Sequence, residues 1–408
     1  MIFRRLVLKG FSKLKHGSLS VVLPDSTRQT FGGLYQGVHA EIRILDERFF
    51  RRCVLFGPIG FAESFMSGEW ETPDLTNVIT WFILNSSNDE ALGKRSPGGS
   101  GLFNILNVAN RAIHKPHPNS LQESRGNDHP GNDFFKLWLD PTMTCSSGYF
   151  DAPETSLEAA QVRKYDHLCH KLHLSPSDEV LEIGSGWGGF SIHAARHCHC
   201  KITTVTTSEE QFAEASARIQ KAGLADRIEI LLCDYRTIRG RFDKIVSIEM
   251  IEAGGDRFVD GCFAKIHQLL KPRGLFGLQA ILCADSQYRL LRDSVDFIRK
   301  HISPGSLLLC NARITEALMS TGDLNLLDYE DMAPHYARTF RIWRQNFEAK
   351  LADIRALGFD DTFIRKWRYY LCHCEAAFGT RHITVAQAVY SRPGNIALPS
   401  QVYSVPTG

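Results

Sequence analysis

The sequence lacks a long apolar run and a strong net charge. No apolar run among its 408 residues approaches the ~20 residues that cross a membrane as a helix. Its 47 Lys and Arg nearly balance 45 Asp and Glu, so the net charge of +2 creates no field that would gather a polyanion, and we expect no nucleic-acid partner. Near the basic N-terminus, the apolar run Leu6-Val7-Leu8 is too short for a signal peptide.

Cysteine is present, but not in a pattern typical of zinc sites. The eleven cysteines are scattered, and the tight pairs Cys198/Cys200 and Cys372/Cys374 are spaced more closely than the CxxC of zinc loops. The second pair falls within a helical pattern. We interpret the cysteines as reduced, mostly buried thiols, expect no metal, and expect a reducing cytoplasm. The hydrophobic content of 43% is ordinary for a soluble chain, and the length favours two domains.

A glycine-rich turn at residues 180–190 organises the chain. The segment VLEIGSGWGGF joins a short apolar run, which ends in Glu182, to four glycines and then to a helical pattern. Strand, tight turn and helix in this order form the first unit of a doubly wound α/β sheet. Glycines such as Gly184 and Gly186 let the backbone press against a ligand, and free amide groups at the helix start favour an anionic group.

Two kinds of ligand compete for such a turn. A nicotinamide cofactor needs GxGxxG and an acid about 20 residues later, but the next strand-like run ends at Thr206 with no acid at its tip. Acids stand instead before the glycines, at Glu182, and after a third strand-like run, at Asp234. This order is typical of S-adenosylmethionine (SAM) methyltransferases, in which Glu182 would serve the amino-acid end and Asp234-Tyr235 the adenine. A turn that binds no nucleotide is the remaining alternative.

Residues 1–93 predict a small α+β domain. Strand patterns at 18–23 and 40–45 precede a helical pattern at 75–84, and an aromatic- and glycine-rich stretch at 51–70 separates them.

The first 16 residues form a basic amphipathic segment. Phe3, Leu6 and Phe11 share one helical face, and basic residues lie elsewhere. Such a segment either lies on an anionic membrane surface or docks on its own domain. Residues 94–131, rich in Pro, Gly, Ser and Asn, are expected to be a linker.

Residues 132–395 predict a mostly parallel sheet with alternating helices, followed by a tail at 396–408. Beyond the Glu182 strand, the pattern predicts strands at 202–206, 228–232, 244–248, 274–281, 324–327 and 383–390. It predicts long helices after the fifth strand at 288–301, 336–351 and 361–378. We expect these helices to form an insertion that covers the pocket.

Several motifs follow one another along this domain. They are LWLDPTMTxSxGYF, VLEIGSGWGGF, TTSEEQ from Thr206, IVSIEMIEA from Ile245, FIRKHISPG from Phe297, HYARTFRIW from His335 and YYLCHCEAAF from Tyr369. Together they resemble the cyclopropane-fatty-acyl-phospholipid synthases, the mycolic acid cyclopropane synthases and related fatty-acyl C-methyltransferases, over most of residues 133–392. The resemblance implies a class I SAM methyltransferase Rossmann-like sheet with a helical insertion, plus an N-terminal α+β lipid-binding domain.

The resemblance also implies a reaction, namely methyl transfer from SAM to the cis double bond of an acyl chain in a membrane phospholipid. Closure of a cyclopropane ring is its default outcome. An alkene is a weak nucleophile, so a sulfonium donor in a dry pocket is required, and aromatic faces can stabilise the resulting carbocation. Candidates for those faces, with plain core packing as the alternative, are Tyr149, Phe150, Tyr336, Trp343 and Phe347. The family further suggests a homodimer, peripherally associated with the cytoplasmic surface of the inner membrane.

In the family a bound bicarbonate takes the proton released at ring closure. Carried over by motif, Glu252, Tyr336 and the backbone of Ile281 match, whereas Ser147 replaces the cysteine and Gln279 the histidine. Serine and glutamine still hydrogen-bond an anion, so the resemblance implies these five residues as the catalytic set and bicarbonate as a second bound group. Losing the histidine removes a titratable group, which makes a methyl-branched or methylene product the close second.

For SAM, the resemblance implies contacts from both sides of the glycine turn. The residues are Cys145, Ser146, Glu182, Gly184, Gly186, Thr206, Gln211, Asp234 and Tyr235. Thr206 and Gln211 would substitute for the missing acid of the second strand. Two other functions stay open: a non-catalytic lipid-binding protein, suggested by Ser147, Gln279 and Asp128, and a methyltransferase for another hydrophobic small molecule.

Overall fold

The structure is a computed structural model that describes residues 2–87, 130–395 and 398. These residues form two sheets, each with its own helices. The expected linker, 94–131, and tail, 396–408, lie almost entirely outside the described residues.

The N-terminal unit is a four-stranded sheet with three helices. Its elements are α1 (Ile2–Phe11), β1 (His16–Val22), β2 (Arg28–Gly32), β3 (Tyr35–Ile44), α2 (Arg48–Met66), β4 (Trp70–Glu71) and α3 (Leu75–Ser87). The strand order is β2-β1-β3-β4, in which β1 and β3 are parallel and the other pairs antiparallel. Alternate residues of β1 are buried, as expected for a strand with one face on a core.

Most of residues 51–70, for which the sequence predicts no element, belong to helix α2. The backbone leaves helical geometry at Gly57 (φ 55°, ψ −134°), directly before Pro58, since proline has no amide to donate and is tolerated in a helix at its first turn. Phe65 of α2 packs on Trp70 with their ring centroids 5.0 Å apart. Burial of aromatic side chains thus maintains a helix where glycine and proline argue against one.

The main domain follows from residue 130. Its elements are α4 (Gly131–Lys136), α5 (Leu157–Lys171), β5 (Glu179–Ile183), α6 (Gly189–His197), β6 (Lys201–Thr206), α7 (Glu209–Lys221), β7 (Ile228–Leu232), β8 (Phe242–Ile248), α8 (Asp256–Leu269), β9 (Leu270–Cys283), α9 (Tyr288–Arg292), α10 (Phe297–His301), α11 (Asn311–Thr321), β10 (Asn325–Asp331), α12 (Ala333–Ala349), α13 (Leu351–Ala356), α14 (Asp361–Gly379) and β11 (Ile383–Ser391). The strand order is β10-β11-β9-β8-β5-β6-β7, parallel from β9 to β7, with β11 antiparallel to both of its neighbours. The predicted mostly parallel α/β sheet is confirmed.

One predicted helix of the insertion is wrong. Residues 288–301 form two short helices, α9 and α10, rather than one. Asp296 begins the second helix, because its side chain accepts a hydrogen bond from the Arg299 amide as an N-cap.

Helix α14 joins the two units. Trp367 lies in the aromatic core of the main domain, whereas Tyr369 packs into the core of the N-terminal unit. Arg365 donates hydrogen bonds to the carbonyl oxygens of Phe65 (2.6 Å) and Trp70 (3.0 Å). The N-terminal unit is therefore built onto a helix of the insertion.

Candidate active site

The glycine turn lies between β5 and α6, at the carboxyl edge of the sheet. Gly184, Gly186 and Gly188 have φ angles of 95°, 49° and 85°, left-handed values that favour glycine. A Cβ on Gly184 would stand 2.9 Å from Met250 Cγ, whereas a Cβ on Gly186 would meet no atom within 4 Å. The loop is closed by protein at Gly184 and open at Gly186, which fits a ligand lying on its backbone.

Glu182, the acid before the turn, is buried at the end of β5. Its Oε2 accepts hydrogen bonds from the hydroxyls of Ser191 and of Thr204, the latter at 2.6 Å. Burial raises the pKa of Glu182 to about 7, although both hydrogen bonds and the charge of Lys164 oppose the rise. The side chain ties β5 to α6 and β6, and so supports the loop; its role toward the amino-acid end of SAM remains a prediction.

The residues predicted to substitute for the second-strand acid and to contact the adenine follow along the same edge of the sheet. Thr206 donates to Gln211 Oε1 at 3.0 Å, which links the end of β6 to the first turn of α7. Both oxygens of the Asp234 carboxylate accept hydrogen bonds from Arg236, and these bonds lower the Asp234 pKa. Tyr235 is half-buried against the core. These residues share one edge because the carboxyl ends of parallel strands meet there.

Cys145 and Ser146 reach the site from the segment before α5. Two side chains of that helix hold Ser146: Lys164 Nζ donates to its Oγ at 2.6 Å and Gln161 Nε2 to its carbonyl at 2.8 Å. Burial lowers the pKa of Lys164 to about 8, against the charge of Glu249. Cys145 is exposed, yet enough protein surrounds it that burial raises its thiol pKa to about 12. Both observations together place this thiol on an interior cleft.

Glu249, a carboxylate that the sequence analysis did not single out, forms the centre of the site. It follows β8 with φ 49°, a left-handed conformation that is strained for most residues other than glycine. Its Oε1 accepts hydrogen bonds from the Ser147 amide (3.0 Å) and Gln279 Nε2 (2.7 Å), and its Oε2 from Tyr336 Oη (2.6 Å). Burial outweighs the opposing effect of these three donors and of Lys164, so the pKa of Glu249 is raised above its ordinary value.

Glu252 is the second acid of the centre. Its Oε1 accepts a hydrogen bond from the Ile281 amide at 2.6 Å, and its buried Oε2 has no hydrogen-bond partner among the described residues. Burial and then the charge of Glu249 raise the pKa of Glu252 to about 8. Neighbouring acids in unlike surroundings separate into a neutral and an ionised member. Glu252 is the neutral one at pH 7, and the donors around Glu249 favour its ionised form.

Aromatic rings wall the acid centre. Tyr336 packs on Phe378 and Phe340, with ring centroids 4.4 Å and 4.7 Å away. Tyr370 of α14 lies in the same environment, since Glu249 and Cys145 both add to the effect of burial in raising its pKa. In the sequence, Tyr370 stands out only as part of the YYLCHCEAAF motif.

Four of the five predicted cation-stabilising rings are engaged elsewhere. Tyr149 is stacked by both His167 (3.9 Å) and His335 (4.4 Å), and the Arg338 guanidinium lies 4.1 Å above the ring of Phe150. Two more, Trp343 and Phe347, are buried in the aromatic core. Core packing or surface stacking therefore accounts for them, and Tyr336 alone of the five contacts the acid centre.

Among the described residues no group of three or more His, Cys, Asp or Glu is placed to hold a metal ion. No helix in the described part of the chain has the length and apolarity to cross a membrane. All eleven cysteines have free thiols.

Comparison with known proteins agrees with this geometry. The profile of the mycolic acid cyclopropane synthetase family matches residues 118–388. The tuberculostearic acid methyltransferase UfaA1 of Mycobacterium tuberculosis is 37% identical over 84% of this chain and 81% of its own. The cyclopropane-fatty-acyl-phospholipid synthase of Escherichia coli K12 is 33% identical over 86% and 88%, respectively.

Solved structures give the same result. The mycolic acid cyclopropane synthase CmaA1 complexed with SAH and CTAB has a TM-score of 0.61 and 26% identity, and covers 69% of this chain and 100% of its own. The cyclopropane synthase MmaA2 from Mycobacterium tuberculosis has a TM-score of 0.61 and 27% identity, over 68% and 99%.

The fold, the glycine loop and these neighbours define a SAM-dependent methyltransferase with a class I fold, and the predicted cofactor SAM is confirmed. Within that class, the chain belongs to the mycolic acid cyclopropane synthetase family, whose members include lipid methyltransferases and cyclopropane synthases.

Proposed function

We propose that the protein transfers a methyl group from SAM to the cis double bond of an unsaturated fatty acyl chain in a membrane phospholipid, with a cyclopropane ring as the default product. One observation carries the proposal. Met250 packs on Gly184 of the donor loop and directly follows Glu249 of the acid centre. SAM held on the loop would supply an electrophilic methyl group beside the acid centre, next to buried Tyr336 and half-buried Tyr370.

An alkene carbon attacks such a methyl group only where water does not compete, and the site meets this requirement. Glu252 and the donors Gln279 and Tyr336 are buried, Glu249 is half-buried, and the aromatic wall offers π faces to the cation that forms next. The relatives described above, a cyclopropane-fatty-acyl-phospholipid synthase and a tuberculostearic acid methyltransferase, support an acyl lipid as the substrate and differ in the lipid for which they are named. A methyl-branched or methylene product is therefore the second candidate.

The direct test is product analysis. The purified protein is incubated with SAM labelled in its methyl group and vesicles of an unsaturated phospholipid. We expect the acyl chain to gain one CH2 unit by mass spectrometry, with upfield ring protons for a cyclopropane and alkene protons for a methylene in the NMR spectrum. Tight SAM binding without label in any lipid would contradict the proposal and favour the non-catalytic lipid-binding alternative.

The N-terminal unit would bring the enzyme to its substrate. Helix α1 docks through buried Val7 and Phe11, yet leaves Ile2 (74%), Phe3 (36%) and Leu6 (37%) exposed. One face of the helix therefore docks on its own domain, and the exposed face supports the proposed membrane contact. Exposed apolar residues among basic ones suit the surface of an anionic bilayer, and we place the protein peripherally on the cytoplasmic surface of the inner membrane.

Paired substitutions test the membrane contact. Removing two apolar side chains, as in I2S/F3S, is expected to weaken binding to anionic vesicles about 10-fold in a sedimentation assay. Leu357→Ser is the matched control, because Leu357 is 44% exposed in the main domain, away from α1. Equal vesicle binding by wild type and I2S/F3S would show that α1 has no such role.

A further inference from the structure

We infer that Glu249 is the proton acceptor of the reaction, and that its carboxylate occupies the place the family gives to bicarbonate. The inference rests on the proposed function and deepens it, since it assigns the group that completes the chemistry. Its basis is that three of the groups predicted to bind the anion, at Ser147, Gln279 and Tyr336, donate their hydrogen bonds to Glu249 instead.

The predicted anion-binding groups are already engaged by the chain itself. The Ser147 amide, Gln279 Nε2 and Tyr336 Oη all donate to Glu249, at 3.0, 2.7 and 2.6 Å. The Ile281 amide donates to Glu252 at 2.6 Å. The Ser147 hydroxyl donates to the neighbouring carbonyl of Gly148, at 3.0 Å. A bicarbonate would have to share these donors with a carboxylate, and two anions on one set of donors repel each other. The residues present therefore do not fit bicarbonate.

A second layer fixes the donors toward Glu249. Gln387, the cross-strand partner of Gln279, donates from Nε2 to Gln279 Oε1 at 3.1 Å. With its oxygen engaged, the Gln279 amide turns its NH2 group to Glu249. Of the two departures from the family pattern, Gln279 contacts Glu249 through its side chain, whereas Ser147 contacts it through the backbone amide.

The backbone of Glu249 supports a role beyond packing. Its φ of 49° is left-handed, and a side chain held in that conformation by its surroundings is typical of functional sites. This backbone conformation holds the half-buried carboxylate among three donors, one residue from Met250, which packs on the donor loop.

The surrounding charges suit a base. Lys164 is the cation whose charge acts on Glu249, and Glu252, the neighbouring acid, is neutral at pH 7. In its ionised form Glu249, held by its three donors, would stabilise a carbocation that forms beside it. The same carboxylate can then accept a proton from that cation.

The step balances without any further reagent. One alkene carbon forms a bond to the donor methyl carbon, and the electron pair of the broken C–S bond stays on sulfur. The other alkene carbon becomes the cation. A C–H bond of the transferred methyl group then breaks, its electrons form the second ring bond, and its proton goes to Glu249. For a methylene product, hydride migration moves the cation to the methyl-bearing carbon, and the same C–H electrons form the double bond.

Two variants of Glu249 separate a built-in base from a bicarbonate site. Glu249→Gln keeps the shape but not the basicity, and we expect it to fold, to bind SAM and to turn over at least 100-fold more slowly. Glu249→Gly leaves a hole among the three donors, and glycine accepts the left-handed backbone without strain. Added bicarbonate is expected to raise the turnover of E249G at least 10-fold and to leave E249Q unchanged.

A binding measurement without lipid makes the inference independent of activity. Line broadening of ¹³C-labelled bicarbonate is expected with E249G and absent with wild type and E249Q. Bicarbonate binding by wild type equal to that of E249G, or E249Q turnover within 2-fold of wild type, would overturn the inference. If the proposed function fails, wild type labels no lipid. The pattern of bicarbonate binding among the three proteins still shows whether the donors are engaged by Glu249 or bind the anion.

Discussion

The glycine loop and the acid centre are neighbours, but they are assembled in different ways. The loop is one continuous segment whose backbone forms the site, with φ values of 95° at Gly184 and 49° at Gly186. The centre consists of side chains from separate segments, since Glu249 lies 102 residues from Ser147 and 87 from Tyr336 in the sequence. A site made of one backbone segment can be predicted from a motif. A site made of distant side chains depends on the fold.

The largest effect that sharpens this contrast is expected at Gly186. Gly186→Ala adds a methyl group to the open face of the loop, and we expect SAM affinity in calorimetry to fall by about 100-fold or more, because the Cβ holds the ligand off the backbone. The left-handed backbone adds a stability cost of about 1–2 kcal/mol.

Gly223→Ala is the matched control for that substitution. Gly223 has φ 68° and no atom within 4 Å of an added Cβ, but it lies in the turn between α7 and β7. We expect a similar loss of stability with unchanged SAM affinity. If both variants bound SAM like wild type, the backbone of the loop would not form the donor site.

The next effect concerns the acid centre and pH. The pKa of Glu252 is about 8 in the folded protein against an ordinary 4.5, so the group favours the fold in its protonated form. Its contribution to stability is complete below pH 4.5 and is lost as pH rises through 8. The unfolding free energy of wild type, relative to that of E252Q, should fall by about 4 kcal/mol across this window. Parallel denaturation curves for the two proteins from pH 5 to 8 would contradict the assignment.

A smaller effect is expected from Tyr336→Phe. The variant removes one of three hydrogen bonds to Glu249 and leaves the ring packing in place. We expect kcat to fall about 10-fold, with the affinity for SAM unchanged, because the positioned base loses one donor. Tyr288→Phe is the control, since its hydroxyl donates to Asp256 in another part of the domain. Equal loss in both variants would indicate a general effect of removing a buried phenol.

Much of the main domain could be predicted from the sequence. Short apolar runs bounded by turns marked its strands: 228–232 was predicted as observed, and 383–390 differs from β11 by one residue. The N-terminal helix α2 could not be predicted, because Gly57 and Pro58 argue against a helix that aromatic burial nevertheless maintains. Local patterns carry no information about such tertiary packing.

The acid centre was predicted in part. Glu252, Ser147, Gln279, Ile281 and Tyr336 were selected from motifs, and the structure brings all five together around two carboxylates. Glu249 was missed, because neither its left-handed backbone nor its distant donors can be read from the motif that contains it. A usable signal was present, however: glutamine at 279, where the family has histidine, brings a side-chain amide donor that needs an acceptor at this site.

The most direct test of the central claim is the turnover of the wild-type enzyme on unsaturated phospholipid vesicles in buffer stripped of bicarbonate and CO2, compared with the same buffer after bicarbonate is restored. With Glu249 as the built-in base, the two rates are expected to be equal. Turnover that disappears on depletion and returns with bicarbonate would show that the proton leaves through a bound anion and not through Glu249.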